Sequence, residues 1–368
     1  MVDQPGVRNE LHGQPHGPTV QAGSIGNLWL TSGERAGERP ADLFAAAASR
    51  AREFVLAAHD LPGAVALDQL TEDVRDLARA QPRVSPDQVL AHVVQAQRAA
   101  FALLDTCRNP GVRRRLYFLA GIVGAMLARA AHECGDPRGA GLHARVAFQC
   151  AEHADHDGLR ARVRALQAAV AYWCGRPHEA LRHARSGAVF AERAGSTMAA
   201  RLPVSEARAW AVLGDVRRTL DALRRAERAW ERVRPDELDE FGGVCAFTWS
   251  RHLHFAANAL TWLTGEAVAV ERYATAAVAA YGDRSTAEWA FGSHAGAHTD
   301  LAIARLRRHD LPGAAEALAP VLDLPPPLRI STIVLAVRRV RQHLPAARSD
   351  LHERVATFAR TPLDALSS

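Results

Sequence analysis

From Ala41 to about Arg360, apolar residues recur at three- and four-residue spacing, and short Gly/Pro breaks interrupt the pattern at regular intervals. This feature constrains the fold most, because such spacing puts the apolar side chains on one face of a helix. The breaks are Asp60-Leu61-Pro62-Gly63, Arg108-Asn109-Pro110-Gly111, Gly135-Asp136-Pro137, Gly175-Arg176-Pro177, Gly214-Asp215, Gly265-Glu266 and Asp310-Leu311-Pro312-Gly313. Gly ends a helix in the left-handed conformation, and a Pro just after it suits the first turn of the next helix. Period-two runs of Val, Ile or Thr are almost absent, and the chain holds only five Ile, so strands are not expected.

The interval between breaks is 40 residues from Gly135 to Gly175, 39 to Gly214, 51 to Gly265 and 45 to Asp310. Small or apolar residues follow five positions after most breaks (Ala140, Ala180, Val270, Ala315), and Ala128, Ala168 and Ala207 precede three of them by seven. Small residues there let two helices of a hairpin approach closely. The pattern resembles tetratricopeptide repeats, whose helix pairs stack into a solenoid, with intervals longer than the usual ~34 residues. The expected class is therefore all-α, a tetratricopeptide-like helical-repeat solenoid over residues 41–362. A non-repetitive helical bundle is the alternative.

Residues 1–40 are rich in Gly, Pro and polar residues, show no helical period, and read as a flexible arm. No apolar signal core follows Met1. The longest uncharged apolar run, Tyr117 to Ala128, is too short to span a bilayer. Five Cys without a C-x-x-C pair read as buried free thiols of a reducing compartment. A cytoplasmic protein without membrane association is expected. All 45 basic residues are Arg, which excludes lysine chemistry, and a net charge of +5 is too small to argue for nucleic acid.

Four strings carry a family resemblance: RRRLYFLAGIVGAMLARAAHECGD (113–136), HDGLRARVRALQAAVAYWCGRPHEALRHA (156–184), RVRPDELDEFGG (232–243) and EALAPVLDLPP (316–326). Through them, the chain from about Asp68 to Pro345 resembles the C-terminal sensor region of actinobacterial XRE-type helix-turn-helix regulators. The resemblance implies a helical domain that binds a signal or partner. Residues 1–40 cannot form a helix-turn-helix, so direct DNA binding is not expected.

The arm carries a second resemblance. Asn9-Glu10-Leu11-His12-Gly13 and His16-Gly17-Pro18-Thr19-Val20-Gln21-Ala22-Gly23-Ser24-Ile25-Gly26 resemble bacterial amyloid-signalling motifs related to the RIP homotypic interaction motif. Their aliphatic-Gln-x-Gly core is Val20-Gln21-Ala22-Gly23 here. Asn9, Gly13, Gly17, Val20, Gln21, Ala22, Gly23 and Ile25 form the implied assembly motif. Gln ladders and small side chains suit an in-register cross-β stack. Pro15 and Pro18 interrupt backbone pairing at their own positions. A plain Gly/Pro tail is the alternative.

Catalytic signatures are absent: there is no G-x-x-x-x-G-K, no strand-flanked G-x-G-x-x-G and no G-x-S-x-G. His294 and His298 share a helix face without a third ligand in register, and His153, Asp155, His156 and Asp157 cluster at a turn as capping residues. No enzyme, cofactor or metal is expected. In a tetratricopeptide hairpin the first helix lines the concave face. Positions 13, 10, 6 and 3 residues before each turn then point inward, giving Arg129, His132, Arg162, Tyr172, Arg201, Arg208, His252, Phe255, Trp262, Asp300 and Arg307 as their polar or aromatic members. Five of these twenty positions are Arg, about twice the share expected from composition. Arg forks suit carboxylates and phosphates, although a Lys-free chain must also use Arg to solvate its exposed faces. Arg338, Arg339 and Arg341 read as such a solvated face.

The reading is a non-enzymatic regulatory or signalling scaffold. Its repeats bind a protein, an acidic peptide or a small anionic signal, and its arm mediates homotypic self-assembly. The alternative is a transcription-linked regulator acting through a partner DNA-binding protein.

Overall fold

The computed structural model describes residues 63–345 and 350–362, together with Ala47. The assembly motif at Asn9, Gly13, Gly17, Val20, Gln21, Ala22, Gly23 and Ile25 lies outside the described residues, as does the onset of the repeat pattern before Gly63.

The described residues form helices and no strand. In chain order these are α1 (Gly63–Ala80), α2 (Pro86–Thr106), α3 (Pro110–Glu133), α4 (Pro137–His153), α5 (Asp157–Trp173), α6 (Pro177–Ala194), α7 (Met198–Val212) and α8 (Val216–Trp230). There follow α9 (Glu237–Glu240), α10 (Trp249–Leu260), α11 (Ala267–Ala280), α12 (Phe291–Arg307), α13 (Leu311–Leu322), α14 (Ser331–Arg341) and α15 (Asp350–Ala359). Among them, no helix is long and apolar enough to cross a membrane.

The breaks act as their chemistry dictates. Gly135, Gly175 and Gly214 have φ of 85°, 69° and 75°, and the next residue's N–H bonds back to a carbonyl five positions earlier (Asp136 to Ala131, 2.8 Å). This is the closing bond of a left-handed helix end. The Asp136, Asp215 and Asp310 side chains then accept from Gly139, Arg218 and Gly313 N–H, capping the following helix. The fifth turn has no Gly: His309 takes the left-handed position with φ 63°, and Asp310 is its cap.

Consecutive helices pair as hairpins: α3 with α4, α5 with α6, α7 with α8, α10 with α11, α12 with α13 and α14 with α15. The first helices also pack on each other in the order α3, α5, α7, α10, α12, α14, forming an inner layer. Burial follows this layering. The inner α10 buries every residue from Ser250 to Leu260 except Phe255. The outer α8 buries one stripe, Thr219, Ala222, Leu223 and Ala226, the pattern of a helix with one solvated face.

The solenoid curves until its ends meet. Phe291 N–H bonds to the Pro82 carbonyl at 3.1 Å, Arg83 reaches the Thr286 carbonyl at 2.7 Å, and α14 touches α3. Residues 231–248, the source of the 51-residue interval, cross the N-terminal ends of the inner helices. Asp239 caps Thr197 N–H at 3.0 Å at the start of α7, Glu237 pairs with Arg115 of α3, and Val244 N–H bonds to the Ala78 carbonyl at the end of α1.

Two sequence expectations need correction. Only Cys150 and Cys245 are buried thiols, whereas Cys174 is exposed and Cys107 and Cys134 are half-buried. The Arg338–Arg341 stretch is not one solvated face. Arg338 donates to the Ala359 carbonyl at 2.9 Å, and Arg339 lies over Trp262 and bonds to Thr261; only Arg341 is exposed. Its basic groups fasten the last helices to the body.

Candidate functional site

The inner layer surrounds a cavity of about 110 Å³, several times what one water needs. Each inner helix contributes residues three or four apart, which stand on one face. Helix α3 gives Arg129, His132 and Glu133; α5 gives Arg162, Leu166, Ala169 and Trp173; α7 gives Arg201 and Arg208. Helix α10 gives Arg251, His254, Phe255 and Asn258, while small residues of α12 (Gly292, Ser293, Gly296, Thr299) and apolar ones of α14 (Ile333, Ala336) complete the wall.

Five guanidiniums thus line the cavity against one carboxylate. Glu133 pairs with Arg129 at 2.7 Å. Arg162, Arg201, Arg208 and Arg251 are 4%, 8%, 3% and 4% exposed, and none has a carboxylate within ion-pair distance among the described residues. Among the described residues the Nε atoms of Arg129, Arg162, Arg201 and Arg251 have no hydrogen-bond partner, nor do His132 Nε2 and His254 Nδ1. Burying unpaired charge is costly. Burial, reinforced by the neighbouring arginines, pushes Arg201 well below the usual guanidinium range and Arg162 to about 10. Both remain cations at neutral pH, Arg201 because a guanidinium does not surrender its proton in a protein. The same burial and arginines bring His132 down to about 4 and His254 to about 3, so both imidazoles are neutral at pH 7.

Aromatic rings hold the guanidiniums in place. Arg208 lies 3.9 Å from the Tyr172 ring centroid and 4.5 Å from that of Phe255, and Arg201 lies 5.5 Å from both Phe255 and Phe247. Behind them runs a hydrogen-bonded network, buried from Tyr172 inward. Trp262 Nε1 donates to Tyr172 Oη at 2.7 Å, Tyr172 donates to Asn258 Oδ1 at 2.8 Å, and Arg208 Nε donates to the same oxygen at 3.0 Å. Asn258 Nδ2 in turn donates to Asp300 Oδ1 at 3.0 Å. Burial raises the Asp300 carboxyl to about 7.

Of the inward residues expected from sequence, Arg129, His132, Arg162, Arg201, Arg208 and Phe255 meet in this cavity. Tyr172, Trp262 and Asp300 stand behind it in the network. His252 points the other way, stacked on Trp249 at 4.8 Å. Arg307 donates to the Thr261 and Leu263 carbonyls at 2.6 and 2.9 Å, closing the end of α10. Arg251, His254, Asn258 and Glu133 were not among the expected residues. For the three on α10 the reason is a one-residue slip, while Glu133 neighbours the expected His132 on α3. Three earlier inner helices end two residues before the turn Gly, but α10 ends five before Gly265, and the true turn after α12 is His309, one before Asp310. Counting from His309 gives Gly296 and Thr299, both in the wall.

His294 and His298 bond to each other at 3.1 Å, and His298 Nδ1 bonds to the Ala317 carbonyl at 2.8 Å. Among the described residues no group of three or more His, Cys, Asp or Glu could hold a metal. No protein-family model matches the chain, and a search of curated proteins finds no match.

Proposed function

We propose that the helical body is the receptor half of a non-enzymatic regulatory scaffold, and that its ligand is a small anion held in the central cavity. One observation carries this reading: four buried guanidiniums and the half-buried Arg129 converge on a cavity with a single carboxylate among its lining residues. Such a cluster is electrostatically unfavourable alone and becomes favourable when a multivalent anion completes it. The small volume of about 110 Å³ supports a small signal over a folded partner. The pocket imidazoles are neutral near pH 7 and lack the acidic second proton of an imidazolium, which favours binding over acid catalysis. The arm, through Val20, Gln21 and Gly23, would then couple occupancy to homotypic assembly.

Native mass spectrometry of the full chain, gently purified and then dialysed against high salt, tests the receptor reading. A bound anionic species lost with salt is expected. A ligand-free protein whose melting temperature ignores every anion in a panel of phosphates, sulfates and carboxylates would remove it.

A further inference from the structure

We infer that the ligand is a phosphate ester whose compact polyanionic head, a phosphoryl or diphosphoryl group, sits among Arg129, Arg162, Arg201 and Arg251. This rests on the receptor reading and narrows it to one chemical class. Charge comes first. Glu133 already pairs with Arg129, so a ligand with one carboxylate would leave several buried cations uncompensated. A phosphoryl group brings about −1.5 to −2 at neutral pH on one tetrahedral centre, and a diphosphoryl group brings more in nearly the same space. Volume comes second. A phosphoryl head concentrates that charge in a cavity of about 110 Å³, where a peptide must bring several acidic side chains and their backbone.

Donor geometry points the same way. Guanidinium forks match phosphate oxygens two at a time. Among the described residues Arg162 Nε and Arg201 Nε have no hydrogen-bond partner, while stacking over Phe247 and Phe255 orients Arg201. The apolar lining comes from Leu166 and Trp173 of α5 and Ile333 and Ala336 of α14. The organic part of the ester belongs against these residues.

The test is calorimetric titration of the full chain at fixed ionic strength with pyrophosphate, inorganic phosphate, sulfate and citrate. Pyrophosphate is expected to bind at least about tenfold more tightly than citrate, the equivalent of one further charge-assisted hydrogen bond. Phosphate affinity is expected to fall as pH drops through the ion's last ionisation near neutrality, where the dianion becomes a monoanion. Sulfate keeps its charge there, so a site for sulfate esters would bind it as tightly as phosphate at pH 7.5 and show no such fall, which would overturn the phosphoryl assignment. Citrate equal to or tighter than pyrophosphate would overturn it too, leaving an anion receptor of carboxylate type. Failure of all four would remove the receptor reading itself. Arg162→Met and Arg201→Met, each folded by circular dichroism, are expected to lose pyrophosphate binding. The exposed control Arg341→Met is expected to keep it. Binding retained in both cavity variants would place the anion elsewhere and reject the inference.

Discussion

Ser331 Oγ donates a 2.6 Å hydrogen bond to the main-chain carbonyl of His132, a residue 199 positions earlier in the chain. The bond joins the first residue of α14 to the last turn of α3, the two ends of the inner layer. His132 also lines the cavity, so the contact that closes the solenoid lies beside the site that the closure creates.

Ser331→Ala is therefore expected to cost about 1 kcal/mol, the usual net worth of one buried hydrogen bond. It should lower the urea midpoint without changing the slope, because the surface exposed on unfolding stays the same. An unchanged midpoint would mean that the ends do not meet through this pair in solution.

Arg201→Met exchanges a buried, unpaired cation for an apolar side chain of similar length. Replacing buried charge with well-packed apolar groups often stabilises by about 1–4 kcal/mol. The ligand-free variant should thus be more stable than the wild type, and added pyrophosphate should raise only the wild type's midpoint. A variant less stable than the wild type in ligand-free buffer would show instead that Arg201 supports the fold through its stacking on Phe247 and Phe255.

His309 holds the left-handed turn position that Gly occupies at 135, 175 and 214. A side chain there costs about 1–2 kcal/mol relative to an unstrained conformation, and Gly removes that cost. His309→Gly should raise thermal stability by about 1 kcal/mol. A loss of stability would mean that the imidazole makes a contact worth more than the strain.

The same residue shows where the sequence was legible. Helix positions and the inner or outer role of each helix follow from apolar spacing and Gly-Asp-Pro chemistry, because both act within a few residues. His309 displaced the fifth turn by one residue from the Asp310 read in the sequence, since a non-Gly residue in the left-handed region leaves no mark in composition. Four residues, Thr261 to Thr264, separate α10 from Gly265 where the earlier inner helices have one, so counting back from the turn reaches His252 instead of Arg251 and passes over His254 and Asn258. The meeting of α14 with α3 depends on accumulated curvature over five hairpins, which no local pattern encodes. Gly296 illustrates the limit: an added Cβ would stand 2.3 Å from His254 Nε2, and this close approach, invisible in sequence, seats the imidazole in the wall.

Asp300 and His254 give the fold opposing pH dependences. His254 Nε2 lies 3.7 Å from Asp300 Oδ2, and Asn258 of α10, Arg208 of α7 and Arg339 of α14 also face the carboxyl. The carboxyl is raised to about 7, so between about 4 and 7 the folded state holds a proton that the unfolded chain releases. By linkage, that contribution to stability is lost as pH rises towards 7. His254 is lowered to about 3 and His132 to about 4, so their contributions are present above about 6.5 and are lost as pH falls. Asp300→Asn removes the first effect and leaves the second. Melting temperatures from pH 4.5 to 8.5 should show the variant gaining on the wild type as pH rises to about 7, with a constant difference above it. A difference that stays flat across the whole range would mean that Asp300 is ionised throughout, held so by Arg208 and Arg339.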